Sequence, residues 1–480
     1  MNMRYLFLLI LFSLLTGSLF GQKVVTGKIF SKEGGVKGVI VTDGKNFAIT
    51  SVNGLFHLNT DGNQRFIYYT LPSGYESPLE NGVPLFYKRM DTNSDTYNFE
   101  INKLAGSQKK HTFMVWADPQ VSELSEFDLL DTVVDDIVGF RSEDKSYWHG
   151  ISCGDMVFDH SDLFMNYKES VSKIPFPFYQ VIGNHDLDYS NVTNSTSTVS
   201  FQKNFGPDYY SYNVGDIHYV ILNDLFYYGY KYHYMGYLDQ YQLDWLKRDL
   251  SYVKKGTTLV IALHIPSMYK DKDTSPDMET RQKNSIINNQ AFYDCLKGYN
   301  VHILAGHSHT QWNTIIGDSI FEHTHAAVSA AWWQGEVGTD GTPKGYTVYQ
   351  VDGDNISWYF KGVGKTKEYQ FKAYPVGTDK EYPESFIVNA FNFDPAWTVQ
   401  WAEDGVIKGN MEQYWGVDPL AGELYQPNKN SKYNWLSYTY TDHLFKATPS
   451  NKSAQIEIII TDRFGKKYVQ KIDNKHFNTN

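Results

Sequence analysis

Five short segments of this 480-residue chain place electron-pair-bearing side chains directly after apolar runs. They are Asp118-Pro119-Gln120, Gly154-Asp155, Gly183-Asn184-His185-Asp186, Leu263-His264 and Gly306-His307-Ser308-His309. Carboxylate, amide oxygen and imidazole are the donors that a small divalent cation takes in a fixed array. Two cations about 3.5–4 Å apart need a carboxylate between them to offset their repulsion. Asp155, which closes "WHGISCGD", is suited to bridge. A Gly ahead of such a residue removes Cβ crowding and lets the chain turn sharply, and Gly154, Gly183 and Gly306 stand in that place. His307 and His309 are two apart at a strand end, so they need a turn to converge; one can then serve each cation. Singly, each segment has a plain reading: Asp-Pro-Gln as a turn, His264 as a core histidine, "GNHD" as an Asn-rich loop. The chemistry is carried by all five occurring together, each after an apolar strand.

The elements around these segments predict a layered α/β domain. From His111 the apolar strands "HTFMVWAD", "WHGISCGD", "FPFYQVIGNHD", "HYVILND", "TTLVIALHIP" and "NVHILAGHSH" recur. Helical patterns such as "SELSEFDLLDTVVDDIVGF" and "LDQYQLDWLKRDLSYVKK" lie between several of them. Ligand sites in such sheets lie beyond the carboxyl ends of the strands, so the polar tips should meet in one place. Ahead of this region, "VVTGKIFSKEGGVKGVIVTDGKNFAITSVNGLFHLNT" shows short alternating runs with Gly and Asp/Asn turns, the pattern of a small β-sandwich. After about Phe321 the chain is strand-rich again, and "GYTVYQVDGDNISWYFKGVG" reads as a hairpin turning at Asp352–Asn355. The expected organisation is a leader over 1–21, an N-terminal sandwich over 22–105, the catalytic domain over 111–325 and a C-terminal β-rich domain over 326–480.

Taken together, the motifs D-x-Q, G-D, G-N-H-D, a strand-end His and G-H-x-H resemble those of the calcineurin-like metallophosphoesterase family, over about residues 111–325. The flanks resemble the N-terminal sandwich and C-terminal β domain of a bacterial subgroup. The resemblance implies an α/β fold with an αββα-type core. It also implies two divalent metal ions (Mn, Fe, Zn or Mg), one held by Asp118, Gln120, Asp155 and His309 and the other by Asp155, Asn184, His264 and His307. His185 would face the substrate and protonate the leaving oxygen or stabilise developing charge. Asp186 would either orient His185 or cap the following loop, and Asp159 would either support the site or cap a helix. The family's commonest first motif is D-x-H. Gln120 departs from it, and an amide oxygen favours Mn²⁺, Mg²⁺ or Ca²⁺ over Zn²⁺ at that position. The implied reaction is in-line attack on phosphorus by hydroxide generated at the cations, on a phosphomonoester or a phosphodiester.

Composition bounds the rest. Hydrophobic residues make up 41% and charged residues 20%, ordinary globular usage. The net charge of −11, with no Lys/Arg-dense stretch, gives no nucleic-acid-binding surface. An anionic substrate would then be drawn by a metal centre. The partner expected is a small phosphoester carrying a sugar, nucleotide or lipid head group. "MNMRYLFLLILFSLLTGSLFGQ" has the pattern of a secretory signal peptide, too short in its apolar run for a membrane span. The expected location is therefore periplasmic or extracellular, with no transmembrane segment after its removal. Cys153 and Cys295 are expected as two buried free thiols. "DLFYYGYKYHYMGYL", over 224–238, is either an aromatic lid or a loop packed on a neighbouring domain, and the second reading is favoured. Trp332 and Trp333 follow soon after G-H-S-H, and at least one is expected in the core. A second function class stays open: a surface or periplasmic binding or scaffold protein around a degenerate metal domain. A third is hydrolysis of a non-phosphate ester.

Overall fold

The structure, a computed structural model, describes residues 23–472 except 92, 143, 334, 427–431 and 452. The expected leader lies outside the described residues.

The catalytic region is built on two sheets packed face to face. The first has the strand order Phe178–Gln180, Tyr147–Ser152, Lys110–Trp116, Gly345–Asp352, Asn355–Gly362. The second runs Tyr210–Val214, Ile217–Ile221, Thr258–Ala262, Asn300–Ala305, Ile320–Thr324, Trp312–Ile316. The strands that precede the polar tips pair in parallel within each sheet. All five tips therefore leave at carboxyl ends. Between the sheets lie Phe113, Val115, Ile151, Tyr219, Ile261, Ile303 and Tyr349, all buried. Phe113 and Tyr349 stack with ring centroids 4.5 Å apart.

Helices cover both outer faces. Phe127–Arg141 buries Phe127, Leu130, Val133, Val134 and Ile137, a spacing of three and four that forms one helical stripe. Gln240–Leu250 starts where the Asp239 side chain accepts from the Gln242 N–H at 2.8 Å. It buries Leu243, Trp245, Leu246 and Leu250 on the opposite outer face. The predicted α/β class and αββα layering are what the chain forms.

The expected domain limit after residue 325 does not coincide with a structural break. Strand Gly345–Asp352 pairs antiparallel with Lys110–Trp116, from Lys110↔Asp352 to Val115↔Thr347. The hairpin assigned from sequence to the C-terminal domain completes the first catalytic sheet. A hairpin's own residues specify its turn but not which distant edge it pairs with.

Each flank is a two-sheet sandwich. At the N-terminal end, Lys23–Ser31 pairs with Leu55–Thr60 and Thr96–Glu100, opposite a sheet containing Ile40–Thr42 and Phe66–Tyr69. Its core runs on into the catalytic domain, where Phe86 meets Tyr210 at 4.4 Å between ring centroids. At the C-terminal end, a sheet with Phe386–Ala390 and Thr441–Ala447 faces one with Thr398–Glu403 and Ile456–Thr461. That sandwich has its own core, around Phe386, Val388, Ile456, Ile458 and Ile460. Both cysteines are free and buried. No described helix is long and apolar enough to cross a membrane.

Candidate metal centre

The five strand-end segments converge. Asp118 follows strand Lys110–Trp116, Asp155 follows Tyr147–Ser152, and Asn184 follows Phe178–Gln180. His264 follows Thr258–Ala262 and His307 follows Asn300–Ala305. Hydrogen bonds lock the tips together. The Asp118 N–H donates to the Gly154 carbonyl at 3.2 Å, and the Gly306 N–H to the His264 carbonyl at 2.9 Å. The Asp118 carboxylate accepts from the His307 N–H at 2.9 Å. The Asp155 carboxylate accepts from the His185 N–H at 2.8 Å.

The backbone is strained where these residues sit. Ten described non-glycine residues have positive φ, and six are Asp118, Gln120, Asp155, Asp159, His307 and His309. Each such conformation costs about 1–3 kcal/mol and persists only where the surroundings over-determine it. The glycines allow the close approach. A Cβ on Gly183 would lie 2.1 Å from Asp155 Oδ1, and one on Gly306 would lie 2.7 Å from Asp118 Oδ2. A Cβ on Gly154 would lie 2.6 Å from His264 Nδ1.

Two donor groups result. In one, Asp155, His264 and His307 each offer an atom within 4.8 Å of the others; in the other, Asp118, Asp155 and His309 do the same. Asp155 belongs to both. The histidine tautomers follow from their second nitrogens. His264 Nδ1–H donates to the Cys153 carbonyl at 2.8 Å. That leaves Nε2 toward Asn184 Oδ1 at 3.0 Å and Asp155 Oδ1 at 3.3 Å. His307 Nε2–H donates to the Lys283 carbonyl at 2.9 Å, leaving Nδ1 as its electron-pair atom. His309 Nε2 is buried with no hydrogen-bond partner among the described residues and lies 3.4 Å from Asp118 Oδ1. An orphaned imidazole nitrogen against a buried carboxylate is costly unless something bridges them. These donors fit two divalent cations sharing Asp155.

The electrostatics agree. Burial works against the Asp155 charge, but His264 and His185 outweigh it and hold the carboxyl well below its usual range. Burial likewise works against a charged His264, and the Asp155 carboxylate overrides it, pushing the imidazole up to about 10. The cluster attracts positive charge.

His185 lies at the edge of this centre, partly exposed. Its Nδ1 pairs with Asp159 Oδ1 at 2.9 Å. Burial lowers its pKa, yet Asp155 and Asp159 together raise it above the ordinary histidine value. Of the two roles open to Asp159, the structure displays support of His185. Among the described residues no hydrogen bond joins the Asp186 carboxylate to the His185 ring. That carboxylate accepts from the Gly183 N–H at 2.8 Å and the Val157 N–H at 3.2 Å, and so fastens the loop. Burial and the nearby Asp155 push Asp186 up to about 8.

Gln120 is placed differently from a simple ligand. Its amide N–H donates to Asp155 Oδ2 at 2.7 Å, and its oxygen accepts from the Trp332 indole N–H. In this arrangement Gln120 braces the shared carboxylate, and ligation through oxygen requires the amide to turn over.

Several functional positions escape the motif reading. Asp224 is fully buried, accepts from the His264 and Ile265 N–H groups at 3.2 and 2.8 Å, and is pushed up to about 7 by burial. Its signal was available, since it ends the strand "HYVILND". Trp332 stacks on His309 at 3.5 Å between centroids, whereas Trp333 is buried and donates to the Ala327 carbonyl at 3.1 Å. The Tyr-rich segment is a hairpin, Leu225–Tyr227 with Tyr234–Gly236. Its Phe226 and Tyr237 line a cavity shared with Arg65, Phe66 and Tyr68 of the N-terminal sandwich. Tyr230 and Tyr232 in its turn are 59% and 61% exposed, while Tyr234, paired with Tyr227 next to the turn, meets His307. Asp155, Asn184, His185, His307 and His309 line a cavity of about 400 Å³, together with Phe158, Tyr234, Trp332 and Trp435.

Comparison with known proteins agrees with this geometry. Residues 111–311 match the model described as calcineurin-like phosphoesterase, and residues 23–104 and 322–468 match the models of its N-terminal and C-terminal regions. No curated protein matches the chain. Among solved structures, a dimetal phosphatase from Danio rerio is 16% identical, covering 52% of this chain and 96% of its own, with a TM-score of 0.39. A purple acid phosphatase from yellow lupin (Lupinus luteus) seeds is 12% identical, covering 72% of this chain and 68% of its own, with a TM-score of 0.40. A 5'-nucleotidase precursor from Thermus thermophilus is 12% identical, covering 52% of this chain and 54% of its own, with a TM-score of 0.31. On the matches to all three regions, the chain belongs to the calcineurin-like phosphoesterase family and is a metal-dependent hydrolase of phosphoric ester bonds.

Proposed function

We propose that this chain is an exported hydrolase of a small phosphomonoester or phosphodiester, working at a dinuclear centre. The observation that carries the reading is the sharing of Asp155 between two donor groups, with His185 held by Asp159 at the cavity edge. Asp118, Asp155 and His309 would hold one cation, with Gln120 bracing Asp155 or turning its oxygen inward. Asp155, Asn184, His264 and His307 would hold the other. When bound, the pair supplies an acidified water and neutralises phosphoryl charge.

The chain's own residues do the rest. Asn184, 3.0 Å from His264 Nε2, orients the phosphoryl group at the second donor set. His185, whose pKa Asp155 and Asp159 raise above the ordinary histidine value against the effect of burial, delivers a proton to the leaving oxygen. Asp159 fixes the ring so that Nε2 faces the cavity. Export is supported by the apolar run Tyr5–Leu15 behind Arg4.

The test is the initial rate on an aryl phosphomonoester and on its matching phosphodiester. The protein is loaded with Mn²⁺, and Asp155→Ala serves as control. A rate above the control on one ester supports the reading and separates monoesterase from diesterase. Equal rates in both proteins, with metal bound to the wild type, would sink it.

A further inference from the structure

A continuous line of rings crosses the cavity. His309 stacks on Trp332 at 3.5 Å between centroids with 25° between planes, and Trp332 meets Trp435 edge-on at 5.4 Å. Trp435 in turn lies 6.0 Å from Phe158, and Phe158 stacks on His185 at 4.2 Å and 26°. The line thus runs from a candidate ligand of one cation to the candidate proton donor. Trp435, in the middle of the line, comes from the C-terminal region, 126 residues from His309 and 250 from His185.

Trp435 is 50% exposed and lines the same cavity as Asp155 and His185. Large indoles left half in water at the mouth of a polar cavity offer a flat apolar face to a ligand. Its segment is anchored rather than dangling. Lys432 pairs with Glu123 at 2.7 Å and Glu126 at 3.1 Å, and the Tyr433 hydroxyl donates to Glu126. The Tyr425 hydroxyl donates to the Trp332 carbonyl at 2.9 Å. The C-terminal region therefore holds both Trp332 and Trp435 in place over the catalytic strands.

We infer that Trp435, backed by Phe158 and Trp332, is a specificity-determining platform on which a ring of the leaving group stacks. This rests on the hydrolase reading for its placement. Because His185 is the proton donor, the surface next to it faces whatever is joined to the leaving oxygen, and that surface is Phe158 and then Trp435. The substrate class is a phosphoester whose leaving alcohol carries a ring with an apolar face. A nucleoside base and the C–H face of a sugar both present that chemistry. Thr280 and Asn284, uncharged polar side chains suited to ring hydroxyls, line the same cavity.

The experiment compares wild type, Trp435→Ala and Trp435→Phe on a nucleoside 5'-monophosphate, a hexose 6-phosphate and glycerol phosphate. It reads turnover on the esters and, separately, calorimetric affinity for their non-hydrolysable phosphonates. The expected result is a roughly tenfold loss in affinity and rise in KM for one ring-bearing compound in Trp435→Ala. Glycerol phosphate should be unchanged within twofold, and Trp435→Phe should recover most of the loss. Which ring is affected tells base from sugar. An equal loss on all three compounds, or a wild type that favours glycerol phosphate, would overturn the platform. Ring-selective binding without turnover would uphold it while removing the hydrolase reading.

Discussion

Trp332 and Gln120 are joined across 212 residues, the indole N–H donating to the amide oxygen. Gln120 passes the contact on, its own amide N–H donating to Asp155 at 2.7 Å. The carboxylate common to both donor groups is thus steadied from the far side by a tryptophan that belongs to the C-terminal match. The first motif's departure from D-x-H is matched by this partner: one amide accepts from Trp332 through its oxygen and donates to Asp155 through its nitrogen.

Gln120→Ala should therefore loosen Asp155 without removing it. Partners that orient a ligand typically cost about 10–100-fold in metal affinity when lost. The expected outcome is one cation retained per chain where the wild type retains two, read by elemental analysis after dialysis. Full retention of both would show that Gln120 neither binds nor braces.

His185→Ala should lower turnover by ~10²–10⁴, as loss of a general acid does, with metal content unchanged. Asp159→Asn tests the partner. Burial depresses the His185 pKa, while Asp155 and Asp159 raise it past the ordinary value. The acid form is then present below that raised pKa and is lost as pH climbs through it. Removing the Asp159 charge should move the alkaline limb of the rate profile to lower pH. An unmoved limb would mean that a different group sets it.

Gly183→Ala should be incompatible with the centre, since the new Cβ would lie 2.1 Å from both the Asp155 N and Oδ1. The expected result is a chain that binds neither cation and shows no activity, seen by the same elemental analysis. Retention of both cations would require a shift of the Asp155 loop that its hydrogen bonds oppose.

Asp224→Ala would strand the buried N–H groups of His264 and Ile265. An unsatisfied buried donor costs about 1–3 kcal/mol, so denaturant unfolding should show a loss of roughly 2–6 kcal/mol for the pair. Asp224→Asn keeps one acceptor oxygen and should lose about half as much. Equal stability of wild type and Asp224→Ala would place the brace elsewhere.

The sequence alone determined what depends on short-range order. Apolar strands ending in Asp118, Asp155, Asn184, His264 and His307 could be read directly, because strand periodicity and Gly punctuation are local. The layering followed, since a strand–helix alternation has few ways to bury both faces. The free state of Cys153 and Cys295 was legible from the apolar strand end and the helix that hold them. Tertiary structure decided everything that joins distant segments. Only the folded sheet shows that Gly345–Asp352 completes the catalytic domain. Only the packed loops show Asp186 fastening Gly183, Asp159 holding His185, and Asp224 bracing His264. Trp435 had no signal at all, because a side chain's meeting with rings some 100 and 277 residues away is set by how two domains pack and not by its neighbours in the chain.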